Sequence, residues 1–173
     1  MNDYSTCFPE LDPDSKLWIY VADRVLGDEV VRALHAKVAS FAEMWSSHGR
    51  VVISDFKIVE AQIVLLGAFV EQGEISGCGI DKSLHLLEQF ADESGFEWLS
   101  HLSVVFRNEK GSVVTVPRSE FRNLVKSGVV SESTPVFDTS ISSLLELRKG
   151  HFERSAGTSW HGRVFQIPSS VTI

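Results

Sequence analysis

The stretch Arg50–Glu71, RVVISDFKIVEAQIVLLGAFVE, decides the architecture. It holds two runs rich in Val, Ile and Phe, too poor in helix formers to make one long helix. The first, RVVISDFKIVE, reads as a strand. The second, AQIVLLGAFVE, is almost continuously apolar, which suits a central strand covered on at least one face. The simplest arrangement is a hairpin turning near Glu60 and Ala61. Neither Asn-Gly nor Asp-Gly stands at the turn, so the pattern leaves the register open.

Upstream, KLWIYVA from Lys16 has the aromatic and β-branched content of a strand. GDEVVRALHAKVASFAEMWSSHG follows as the clearest helix. Val30, Val31, Leu34, Val38, Phe41, Ala42 and Trp45 fall on one stripe at three- and four-residue steps. Asp28 and Glu29 suit the positive end of its dipole, and Gly49 is the expected left-handed cap. Downstream of the hairpin comes a glycine turn, SGCGID, Ser76–Asp81. A second helix then runs through IDKSLHLLEQFADESG, with Ile80, Leu84, Leu87, Phe90 and Ala91 on one face. Asp81 is its expected N-cap and Gly95 its stop. EWLSHLSVVFRN returns as a strand, EKG turns, and SVVTV adds one more.

The order is strand, helix, strand, strand, helix, strand, with an extra strand. That is the α+β pattern of a ferredoxin-like βαββαβ sandwich, with both helices on one face of an antiparallel sheet. Three regions are expected. Residues 1–15 form a polar arm with Pro9 and Pro13 that packs late, if at all. Residues 16–116 form the ferredoxin-like core. Residues 117–173 form a C-terminal helical and loop extension that docks on the sheet or its edge. Within it, RSEFRNLVKSG and DTSISSLLELRKG read as helices, VVSESTPVFD as a loop, and SWHGRVFQIP as an aromatic tail.

With 43% hydrophobic residues in 173, the chain can bury a core without staples. Its net charge of -7 and its lack of basic runs argue against a nucleic-acid partner. Arg118, Arg122 and Lys126, at steps of four, could make a basic helix stripe, and an ordinary solvated face explains them more simply. Cys7 and Cys78 are too few for a disulfide scaffold. The start of the chain has no signal-peptide pattern, and no apolar run reaches the ~18 residues of a membrane span. The cytoplasm is the expected location.

The six histidines show no HExxH or i, i+4 pairing, so no metal is expected, nor any cofactor. No GxxxxGK[ST] is present, and GCG does not extend to GxGxxG, so nucleotide hydrolysis is the least supported reading. Cys78 has stronger claims. A thiol at a helix start feels unpaired N–H groups, and Ser76, Gly77 and Gly79 around it could cradle an anion. Asp81 beside it counts against both, and a plain strand-to-helix turn explains the same residues. In SWHGRVF, Trp160, His161 and Arg163 place an aromatic plate, a titratable ring and a cation together. They could line a pocket, or Trp160 could plug the core. As a nucleophile Cys78 would need a base, His161 first and His101 in reserve. No catalytic motif stands out. The expected function is therefore non-enzymatic: a binding or regulatory protein for a protein partner or small ligand, with a sheet edge suited to a homodimer. The alternative is a thiol-dependent enzyme or redox sensor using Cys78.

KLWIYVADRVL, FAEMWSSHG, SGCGID, VPRSEFRNLVKSG, TPVFD and SWHGRVF, in this order, resemble a family of short uncharacterised bacterial proteins that sometimes carries the label ABC transporter ATPase. The resemblance runs from about Lys16 to Phe165 and implies no catalytic role for any residue. SEFRNLVKSGVVSESTPVFD, Ser119–Asp138, is also similar to the helix–glycine segment of small GYF-like adaptor modules, which bind proline-rich peptides. It lacks the Gly-Tyr-Phe signature. The likeness implies that the C-terminal third is an interaction element.

Overall fold

A computed structural model describes residues 1–168, so the last five residues of the expected extension lie outside the described ones. In chain order the elements are β1 (Lys16–Val21), α1 (Asp28–Met44), β2 (Ser46–Ser47), β3 (Arg50–Val51), β4 (Ile53–Val59), β5 (Ile63–Phe69), α2 (Gly77–Ser94), β6 (Ser103–Arg107), β7 (Val113–Pro117), α3 (Arg118–Lys126), β8 (Pro135–Phe137), α4 (Leu144–Arg148), β9 (Glu153–Ser155) and α5 (Trp160–Val164). Helices and antiparallel sheets mix, as α+β predicts. No described helix is long and apolar enough to cross a membrane.

The chain forms two compact units. The first is Cys7–Leu99 with Ser142–Leu145. The second gathers Met1–Thr6, Ser100–Ile141 and the chain from Glu146 onward. The sequence suggested a boundary after residue 116, but β6 and β7 group with the C-terminal elements.

In the first unit the sheet order is β1-β5-β4, antiparallel throughout. The hairpin turns where expected, with Val59 opposite Ile63. Glu60 and Ala61 both take positive φ, 55° and 51°. Two left-handed residues in succession match the twist of the strands, which is why Asn-Gly usually serves there. Here tertiary hydrogen bonds hold the same geometry without glycine. Leu26 N–H donates to Ala61 O at 2.8 Å, and Ala22 N–H to Gln62 O at 2.8 Å. The Gln62 carboxamide returns a bond to Ala22 O at 3.0 Å.

That register puts Phe56, Ile58, Val64, Leu66 and Ala68 on one face. Leu34 and Val38 of α1 and Leu87, Phe90 and Ala91 of α2 pack on that face. Trp45, Val52 and Ile75 extend the core around Leu66 and Ala68. The reverse face is covered as well. A Cβ at Gly67 would stand 2.9 Å from Leu11 and 3.2 Å from Phe8, so the arm lies directly on β5. Cys7, Phe8 and Leu11 are all buried, so this part of the expected arm is packed in the first unit. Residues 63–68 are accordingly buried without a break.

Three local expectations change. Gly49 does not cap α1. With His48 it makes the left-handed turn of the β2–β3 ribbon, and Trp45 is the C-cap. The N-cap of α2 is Ser76, whose hydroxyl accepts from Gly79 N–H, so Asp81 sits a turn inside the helix. Gly95 does close α2 in the left-handed conformation. Lastly, EWLSHLSVVFRN is not one strand. Trp98 makes a single antiparallel bridge to Ala22, a turn follows with Ser103 N–H bonded to Ser100 O, and β6 enters another sheet. The SHLS step is polar, and its Leu102 remains 57% exposed, so nothing buries the middle of a continuous strand.

The second unit is built on a four-stranded antiparallel sheet, β7-β6-β8-β9. Phe121 and Val125 of α3 pack with Val104, Phe106, Val116, Val136, Phe165 and Ile167. A buried carboxylate organises one end. Glu153, with no side-chain exposure, pairs with Arg107 and accepts from the Tyr4 hydroxyl and the main-chain N–H of Asn2, both at 3.1 Å. Burial pushes the Tyr4 phenol well above its ordinary pKa, so it stays a donor.

Candidate functional site

The second unit concentrates cations on one face. α3 starts after Pro117, whose fixed φ suits a helix entry, and stops before Gly128 at φ 75°. Phe121 and Val125 point to the core, leaving Arg118, Arg122 and Lys126 exposed. α5 is set beside it by a tight corner. Its N-cap, Ser159, accepts from His161 N–H at 3.2 Å and donates to Ala156 O at 2.9 Å. A Cβ at Gly162 would stand 2.7 Å from Ala156 O, so only glycine lets the corner close.

The corner brings Trp160 and Phe165 under the α3 arginines. The Arg118 guanidinium lies 5.6 Å from the Trp160 ring centre, and that of Arg122 lies 5.7 Å from the Phe165 ring. Each is a cation over an aromatic face. Neither guanidinium has a carboxylate partner among the described residues. Arg163 is exposed on the same short helix. Trp160 is half-buried, and its indole N–H has no partner among the described residues.

His161 stacks on Trp160 at 3.8 Å and is 1% exposed. Its Nδ1 lies 3.0 Å from Ser159 Oγ. Because that hydroxyl gives its proton to Ala156 O, the assigned tautomer carries hydrogen on Nδ1. Burial pushes the imidazole down to about 4; Asp138 opposes this, and Arg154 and Arg118 reinforce it. The ring is neutral at pH 7 and belongs to the core. Ser159, His161 and Asp138 do not make a hydrolytic triad, since the hydroxyl is occupied as a helix cap.

Cys78 belongs to the first unit and His161, Trp160 and Arg163 to the second. The Cys78 thiol is exposed in the first turn of α2. Its neighbours serve packing. Ser76 N–H donates to Ser47 Oγ at 2.9 Å, the two hydroxyls meet at 2.8 Å, and Trp45 Nε1 donates to Gly79 O at 2.8 Å. A Cβ at Gly79 would stand 3.0 Å from Ser47 and from Ile75, whereas at Gly77 it meets nothing. His101 is exposed in the turn after Trp98. Among the described residues no group of three His, Cys, Asp or Glu side chains is placed to hold a metal ion.

Charge separates the units. The second carries nine Lys or Arg and seven Asp or Glu, a net +2; the first carries seven and sixteen, a net -9. On α3 and α5 themselves Arg118, Arg122, Lys126 and Arg163 stand against one acid, Glu120, so these two helices are net basic. The sequence showed the arginine spacing but not the rings beneath, because the aromatic tail lies some forty residues further along the chain. No protein-family model matches the chain, and neither a curated protein nor a solved structure does.

Proposed function

We propose that this chain is a non-enzymatic binding protein whose second unit holds an acidic segment of a partner protein against Arg118, Arg122, Trp160 and Arg163. The carrying observation is the pair of guanidinium groups lying over the Trp160 and Phe165 rings. A ring beneath a guanidinium holds the cation by its face while leaving the N–H fork free for a carboxylate. The likeness of Ser119–Asp138 to adaptor modules supports an interaction role for this unit. The first unit is a ferredoxin-like scaffold in this reading. Its β1-β5-β4 order, with α1 and α2 on one face, supports that, and the Trp98 bridge stands where a fourth strand would pair. Two cysteines outside any disulfide suit a reducing compartment such as the cytoplasm.

The test is selection from a displayed peptide library, followed by titration with Trp fluorescence. Acidic peptides are expected to be enriched and to bind more weakly as salt rises. Arg118→Glu with Arg122→Glu is expected to weaken them by at least about tenfold. Enrichment of neutral or proline-rich peptides indifferent to the reversal overturns the reading.

Thiol chemistry at Cys78 is the second reading, favoured by that side chain's exposure at a helix start. Trapping of a sulfenic acid at Cys78 by dimedone under dilute peroxide supports it. A thiol that stays reduced there sinks it.

A further inference from the structure

We propose that the free edge of β4 pairs with β4 of a second copy of this chain, antiparallel and centred on Phe56. β4 is seven residues long and pairs only with β5 among the described residues. The opposite edge of that sheet, β1, is engaged at both ends, Lys16 bridging to Ser143 and Ala22, the residue after the strand, to Trp98. An open strand of this length offers a row of unpaired main-chain donors and acceptors.

The direction of those groups is visible at one residue. Phe56 N–H is bonded by the Asp55 carboxylate at 2.7 Å, so it points away from β5. Ser54 and Ile58, two residues to either side, share that direction. A two-fold axis through Phe56 makes it a hydrogen-bonded pair with its own copy.

Charge then selects the register. Asp55 and Lys57 are the exposed side chains of the strand, and both lie on the face away from α1 and α2. Lys57 Nζ lies 4.0 Å from the Cys7 sulfur and forms no ion pair among the described residues. Centring the axis on Phe56 sets Asp55 opposite Lys57 of the other copy, twice. These are non-hydrogen-bonded positions, where Cα atoms approach to about 4.5 Å and side chains meet most closely. Centring on Asp55 or Lys57 opposes like charges, and centring on Ser54 or Ile58 leaves both charges facing apolar or neutral residues. Only the Phe56 register matches every charge. Asp55 exchanges its bond to Phe56 N–H for the lysine, and the amide passes to the other main chain.

The test is the molar mass of the full chain by sedimentation over a micromolar dilution series. The wild type is expected to dimerise. Asp55→Lys and Lys57→Asp are each expected to raise the dimer dissociation constant at least about tenfold, since each sets like charges opposite one another. The double exchange restores opposite charges and is expected to restore the dimer. Amide exchange at Ser54, Phe56 and Ile58 should slow as protein concentration rises. A wild type that stays monomeric overturns the proposal, as does a dimer indifferent to the single reversals or a double exchange that folds yet fails to associate.

Discussion

His161 has a neutral ring enclosed by Trp160, Phe121 and Phe165. Its folded value of about 4 lies below the 6.5 of the free side chain. The unfolded chain therefore takes up the proton first. The stabilisation is complete above pH 6.5 and is lost as pH falls from there toward 4, by about 3 kcal/mol in all. Urea denaturation at pH 7 and pH 4.5 checks this, and His161→Phe should remove most of this group's share of the slope. Gly79 and Gly77 give the second residue-scale prediction. Gly79→Ala drives a methyl into Ser47 and Ile75 and should cost about 1–3 kcal/mol. Gly77→Ala meets open space and should be neutral or stabilising by up to about 1 kcal/mol. Thermal melts of the two variants should move apart. The glycines of SGCGID were legible as a turn, but not which of them packs. The deciding atom, Ser47 Cβ, comes from another element.

At the scale of elements, long periodic segments were readable and short ones were not. α1, α2 and the β4–β5 hairpin carry their own patterns, because each buries a face along its full length. β8 and β9 have three residues each and exist because β6 supplies an edge to β8, and β8 to β9. No window of sequence contains that information. The same reason hid the split between Trp98 and β6. The Glu60–Ala61 turn makes a further case, since two residues ill suited to positive φ are held there by Ala22, Leu26 and Gln62. Ala61→Gly removes a left-handed alanine and should stabilise the hairpin by up to about 1 kcal/mol, after the loss to unfolded-chain entropy. A rise in the urea midpoint at unchanged slope is the expected reading.

Across the whole molecule, neither unit is one continuous segment. Met1–Thr6 belongs with the chain beyond Ser100, and Ser142–Leu145 returns to the unit that Cys7 begins. Composition could not show this, since Met1–Thr6 and Ser142–Leu145 are only six and four residues long and neither has a pattern of its own. The Glu153 cluster is the clearest knot in that arrangement. Glu153→Ala would strand Arg107, which is only 11% exposed, without its carboxylate. A loss of about 3–5 kcal/mol is expected. Tyr4→Phe removes one hydrogen bond and should cost about 1 kcal/mol. Equilibrium unfolding of both variants checks the ratio.

That cluster also sets an order of events on the ribosome. Tyr4 is synthesised 149 residues ahead of the carboxylate that receives its hydroxyl. While β1 to β5 emerge and collapse, residues 1–6 have no seat, because the strand that holds them has not been translated. The segment around Tyr4 is thus made well before it is fixed. A nascent chain stalled before Glu153 should leave that segment open to a protease that the released protein resists.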